Sequence, residues 1–263
     1  MPSELKKLER RRKAQKHLDE ISGREEHVLV VHYSCESFYD RPEGQTPRVT
    51  SIAARNYASG QTASFSIHKI AELKGVAFAD IDSEYDKLEK EMLKEFYEFM
   101  EKHKSYDWVH WNMRDINYGF PALEHRYRML KGKPVELDES RKFDLSRALV
   151  AIFGNKYIGH PRLVKLMEAN HITALDLLDG PGEAAAFENK EFVKLHQSTL
   201  RKVDVLASIL GRVIDGSIKT NATWRDTHGI HPKIILEYIA KHWVLSLLAS
   251  IVGIGSGIYG VFF

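Results

Sequence analysis

The sequence predicts an α/β domain, with a sheet flanked by helices, joined to one C-terminal transmembrane helix. Strand-like segments come early in the chain and helical ones late. Several later segments keep apolar residues at helical spacing amid many charges. The final run from Trp243 to Phe263 carries no charge and is almost wholly apolar.

Each element is read from its local pattern. Lys6, Lys7, Arg10, Arg11, Arg12, Lys13 and Lys16 crowd one short stretch which, with Leu5 and Leu8, reads as a basic helix over residues 1–25. It suits either an acidic lipid surface or nucleic acid, or a solvated face packed loosely on the domain. Gly23 breaks that pattern, and the β-branched run at 27–33 reads as a buried strand. Residues 48–57 and 61–68 flank Ala58-Ser59-Gly60 and read as a hairpin. Residues 83–103 form an amphipathic helix and 106–111 a short strand. Helices are expected over 117–130, 143–153 and 161–169, with one long helix over 183–214 whose apolar face holds Phe192, Leu195, Val203, Leu206, Leu210 and Val213. The domain therefore spans 26–216, a linker 217–231, and the anchoring helix 232–263.

Length and polarity alone support the anchor. At about 1.5 Å rise per residue, such a helix crosses the roughly 30 Å hydrocarbon core of a bilayer. The helix satisfies its own backbone hydrogen bonds in lipid, so its four glycines are tolerated there. Lys233, Lys241 and His242 upstream, with Trp243 at the interface, place the preceding domain on the cytoplasmic side. Gly253 and Gly257 are four apart, a spacing that lets two such helices approach and self-associate. The alternative is a buried helix ending a soluble fold, although core helices are rarely apolar all round for this length.

Composition narrows the function. Lys and Arg total 38 against 36 Asp and Glu, so overall charge does not announce a polyanion partner. The basic start lacks an apolar core segment, so no signal peptide is expected. One cysteine, Cys35, excludes an internal disulfide and suits a reducing compartment.

Three places in the chain suggest chemistry. The first strand ends Val30-Val31-His32-Tyr33-Ser34-Cys35-Glu36-Ser37. A later strand runs through His110-Trp111-Asn112-Met113-Arg114-Asp115-Ile116-Asn117. The long helix carries Thr199-Leu200-Arg201-Lys202-Val203-Asp204. In this layout, residues 27–215 resemble the DEDD 3′–5′ exonuclease family, with Phe143-Asp144-Leu145 and His160-Pro161-Arg162-Leu163 resembling its intermediate helices. The resemblance implies an RNase H-like fold. It also implies carboxylates that converge on two Mg²⁺ or Mn²⁺ ions, which activate water and stabilise the leaving oxygen.

The departures shape the expected activity. The family's first Asp falls on Ser34, its second on Asp115 or, in another register, Asn117, and its general base on Thr199. Glu36 and Asp204 match in every register, so Glu36, Asp115 and Asp204 are the candidate catalytic and metal residues. Neutral groups at the other positions remove charge that two divalent ions need, and a Thr hydroxyl takes no proton near neutral pH. Each candidate has a plainer role open to it: Glu36 as a strand-end polar residue, Asp115 as a helix cap, and Asp204 as a surface ion-pair partner. Trp111, Asn112, Arg114, Arg126, Arg201 and Lys202 are the candidate nucleic-acid contacts, because aromatics beside cations stack bases and grip phosphates. An aromatic-rich core edge with ion pairs explains the same density.

Three functions remain open. The first is a membrane-anchored, exonuclease-like protein that binds nucleic acid or nucleotide with weak or no catalysis. The second is an active metal-dependent nuclease with altered ligands. The third, by analogy with antiviral defence, is a membrane scaffold or effector that recognises a protein partner.

Overall fold

The computed structural model describes residues 4–36 and 46–223. Helix α1 (Glu4–Ser22) leads into β1 (Val28–Cys35), followed by β2 (Val49–Asn56) and β3 (Thr62–Ser66). Then come α2 (Ile67–Leu73), α3 (Tyr85–Lys102), β4 (Asp107–His110), α4 (Phe120–Met129) and β5 (Lys142–Asp144). Helices α5 (Leu145–Phe153), α6 (Arg162–Ala169), α7 (Gly180–Glu188) and α8 (Phe192–Ile214) complete the described fold. The predicted anchor, including Gly253 and Gly257, lies outside the described residues. Among those described, no helix is long and apolar enough to cross a membrane.

The chain is an α/β fold with one mixed sheet in the order β3-β2-β1-β4-β5. The first three strands run antiparallel, while β4 and β5 lie parallel to β1. Side chains alternate across β1 because a strand has a two-residue period. Leu29, Val31, Tyr33 and Cys35 join the core under α2 and α3, and Val28 and Val30 join the core under α1, α5 and α8. Helix α3 presents Leu88, Met92, Phe96 and Met100 to the first core at helical spacing. Leu18 and Ile21 of α1 are fully buried in the second, so the end of the basic helix belongs to the domain's core.

Several elements differ from the sequence expectation. β1 runs two residues further, through Ser34 and Cys35. Residues 61–68 end as a strand at Ser66, and Ile67, Ile70 and Ala71 bury one face of a short helix. Phe143 belongs to a three-residue strand, after which Asp144 caps α5 by accepting from the Arg147 amide. The helix expected over 117–130 starts at Phe120. Before it, Gly119 bridges back to Arg114 at φ 146°, where a Cβ would come within 2.3 Å of the Met113 carbonyl carbon. The helix expected over 183–214 is two, α7 and α8, parted at Lys190 with φ 60°. The start of the expected linker packs on the domain. Asn221 donates from its amide to the Tyr157 carbonyl at 2.7 Å, and Lys219 donates to Asn170 Oδ1 at 2.8 Å.

Candidate functional site

At the C-terminal end of β1 the face toward α8 changes character. After Val28 and Val30 it carries His32 and Ser34, beyond which a register shift between Ser34 and Cys35 interrupts the alternation before Glu36. Pairing between β1 and β4 stops at Val30–Val109, so the strands open a gap there, and in α/β sheets such gaps are where ligands bind. The loop after β4 fills one side of this gap. Tyr118 stacks on Tyr33 with ring centroids 4.5 Å apart and donates its hydroxyl to the Tyr33 carbonyl at 3.1 Å. The same hydroxyl lies 3.1 Å from His32 Nδ1.

Helix α8 closes the other side. Ser34 is 1 % exposed, and its Oγ lies 2.8 Å from Thr199 Oγ1. Ser34 also donates to Glu183 Oε1 of α7 at 2.8 Å. Ser198 donates to the same oxygen at 3.4 Å, and Lys202 Nζ meets Glu183 Oε2 at 2.7 Å. Two strand and helix positions distant in sequence, Ser34 and Thr199, are thus brought together beside a half-buried carboxylate–ammonium pair. Lys202 is 7 % exposed, and the Glu183 carboxylate beside it offsets the cost of withdrawing its ammonium from water. Among the described residues His32 Nε2 is buried with no hydrogen-bond partner, and burial together with the Lys202 charge pulls this imidazole well below its ordinary range.

Glu36, Asp115 and Asp204 are not gathered here. Glu36 pairs with Arg48 at 3.3 Å, at the mouth of a cavity of about 510 Å³ lined also by Asp82, Tyr85 and Arg126. Arg48 in turn pairs with Asp82 at 3.2 Å and lies over the Tyr85 ring at 4.7 Å. Asp115 Oδ1 accepts from the Asn117 and Tyr118 amides, both at 2.9 Å, and so closes the turn before α4. Asp204 pairs with Arg55 at 3.1 Å and Arg201 at 3.5 Å. Arg55 sits opposite Val30 in the sheet, so Asp204 lies toward the start of β1, away from Glu36 at its end. Among the described residues, no three His, Cys, Asp or Glu side chains form a group that could hold a metal ion. Glu36, Asp115 and Asp204, each held by separate partners, do not form the shared set that a Mg²⁺ or Mn²⁺ pair needs.

Comparison with protein-family models finds no match for this chain, and comparison with curated proteins and with solved structures finds none either.

The candidate phosphate contacts are mostly engaged within the molecule. Arg126 grips buried Glu89 and exposed Asp86, while Arg114 reaches Asp144 at 2.5 Å. Arg201 and Asn117 are exposed, Trp111 is half-buried against the α8-side core, and Asn112 adopts φ 57° with its amide donating to Asp144. His110, buried at the end of β4, accepts from the Met113 amide at 3.1 Å, and burial lowers its pKa to about 4. Sequence reasoning missed Glu183 and underrated Asp144 and His32. Glu183 acts across 149 residues, and no local pattern marks a contact of that range.

Proposed function

We propose that this chain is a membrane-anchored, RNase H-like recognition module that holds nucleic acid or nucleotide without cleaving it. The observation that carries this reading is the Ser34–Thr199–Glu183–Lys202 cluster at the crossing of β1 and α8. A two-metal nuclease needs surplus negative charge where strand and helix meet. Here the single carboxylate already has an ammonium 2.7 Å away, so a protein cation stands where the metals would need to bind. The strand order β3-β2-β1-β4-β5, antiparallel on one side and parallel on the other, supports the RNase H-like architecture. The loop after β4, with Trp111, Asn112 and Arg114, is the surface this reading assigns to a strand or nucleotide. Residues 243–263 supply the membrane anchor, with the domain on the cytoplasmic side.

An active nuclease would have to draw Glu36, Asp115 and Asp204 together, and each has its own partners in a different part of the fold. The test uses the full chain in detergent with a labelled single-stranded oligonucleotide, read by anisotropy and by gel with Mg²⁺ or Mn²⁺. Binding without degradation is expected. Failure to bind either DNA or RNA removes the recognition reading. Metal-dependent degradation that Glu36→Ala abolishes replaces it with the active one.

A further inference from the structure

We infer that the donor cluster between β1 and α8 is an anion site, filled in this structure by the chain's own Glu183, and that α7 is the plug a phosphate group displaces. The inference stands on the chemistry of these donors and does not require the exonuclease-like reading.

The argument begins with donors. Around the Glu183 carboxylate, Ser34 and Ser198 each offer a hydroxyl to Oε1, and Lys202 offers its ammonium to Oε2. All three are donors to an acceptor-only group, and a phosphate group makes the same demand with one more oxygen and more charge. Thr199 Oγ1 lies 2.8 Å from Ser34 Oγ and 2.9 Å from the Leu195 carbonyl, and its one hydroxyl proton can serve only one of these two acceptors at a time. A second, independent observation comes from β1. His32 lies two residues before Ser34 on the same face, with Nε2 buried and unpartnered among the described residues. A buried polar atom left unpaired costs free energy, and a ligand oxygen or hydroxyl that reached it would relieve that cost.

The occupant is built to leave. Helix α7 spans nine residues and buries only Ala186 and Phe187 besides the Glu183 contact, all three on one face by their spacing. It begins at Gly180-Pro181-Gly182 under an Asp179 cap and ends at Lys190 with φ 60°. Backbone turns bracket it on both sides, and although Phe187 touches Phe192 with ring centroids 6.3 Å apart, α8 is held by its own face, which buries Leu195, Val203, Leu206 and Leu210. A lysine ammonium binds phosphate as a point charge, so it loses little when one anion replaces another.

The probes are inorganic phosphate and adenosine 5′-monophosphate, titrated calorimetrically into the full chain in detergent. Glu183→Gln keeps the size of the side chain and removes the competing charge, so it should bind phosphate at least tenfold more tightly than the native chain. Adding Lys202→Gln, which can pair with the new amide and preserve folding, should abolish that gain. In the native chain, saturating phosphate should lower hydrogen-exchange protection of residues 180–188 and leave α8 unchanged. This last readout needs no variant to fold. Equal affinity of the native and Glu183→Gln chains overturns the inference, as does equal binding by the double variant, which would mean a surface ion only. Preference for the nucleotide over free phosphate identifies the source of the phosphate group. A chain that binds a 5′-hydroxyl oligonucleotide but neither phosphate probe keeps the recognition reading and loses this one, and the reverse result does the opposite.

Discussion

On one face of the sheet Arg126 grips Glu89, and on the other Lys202 meets Glu183. Both pairs are largely withdrawn from solvent, but they are built differently. Glu89 is 0 % exposed and accepts from Arg126 Nε at 3.0 Å to one oxygen and 3.1 Å to the other, and from the Val49 amide at 2.7 Å. It therefore ties α3, α4 and β2 through a planar guanidinium and a backbone donor, and it rides on an 18-residue helix with its own apolar face. Glu183 has two hydroxyls and one ammonium, rides on a short helix, and keeps a side chain 16 % exposed. A buried charge is architecture when its supporting element would stay in place without it. It becomes a candidate switch when the charge itself is a main tether.

The largest expected effect tests that contrast directly. Arg126→Met strands Glu89 in the core and should cost about 3–5 kcal/mol of stability. Lys202→Met should cost less, about 1–3 kcal/mol, because α7 can shift and rehydrate Glu183. Urea unfolding of the full chain followed by circular dichroism measures both, and equal costs would erase the distinction drawn here.

Titration separates His196 from Glu89 by sign. Against α8, burial holds His196 at about 4, and the ring is linked to Ser51 at 2.7 Å. The unfolded imidazole takes up a proton between about 6.5 and 4 that the folded one refuses, so stability should fall as pH drops through that window. His32 shifts in the same direction. Burial raises Glu89 despite Arg126, so the folded state keeps a proton there that the unfolded carboxylate has released. Its contribution is present at low pH and falls as pH rises past the ordinary carboxyl range. Denaturation curves across pH should show His196→Asn flattening the acid-side loss and Glu89→Gln removing the opposing trend. An acid limb unchanged in His196→Asn would assign that loss to other groups.

The smallest effect is expected at Asp204. Its side chain is 41 % exposed and pairs with Arg55 and Arg201, so Asp204→Asn should change stability by no more than about 0.5 kcal/mol. It should also leave phosphate binding untouched. A large change in either would return Asp204 to the site.

Much of the fold was legible because its signals are local. The β2–β3 hairpin announced itself by two strand-like runs around a glycine turn, and α3 by its apolar stripe. β5 was not legible, because three residues cannot show a period and β4 alone defines them as a strand. The break between α7 and α8 was hidden too. Lys190 takes the left-handed conformation there without the glycine or proline that usually marks such a turn. In the candidate site, Ser34 and Thr199 were singled out as altered positions of one layout, and they do meet. Asp204 was expected beside them. But α8 runs back along β1, and five residues of helix carry a side chain about 7.5 Å further from the strand's end.

Taken alone, the sequence determined what depends on composition and near neighbours: the α/β order of elements, the buried β1, and the charge-free composition of 243–263. The tertiary structure decided which charges meet. Glu183 reaches Lys202 and Ser34 only because α7 turns back over α8 and the end of β1. An ion pair is fixed by distance in space, and separation along the chain carries no trace of it.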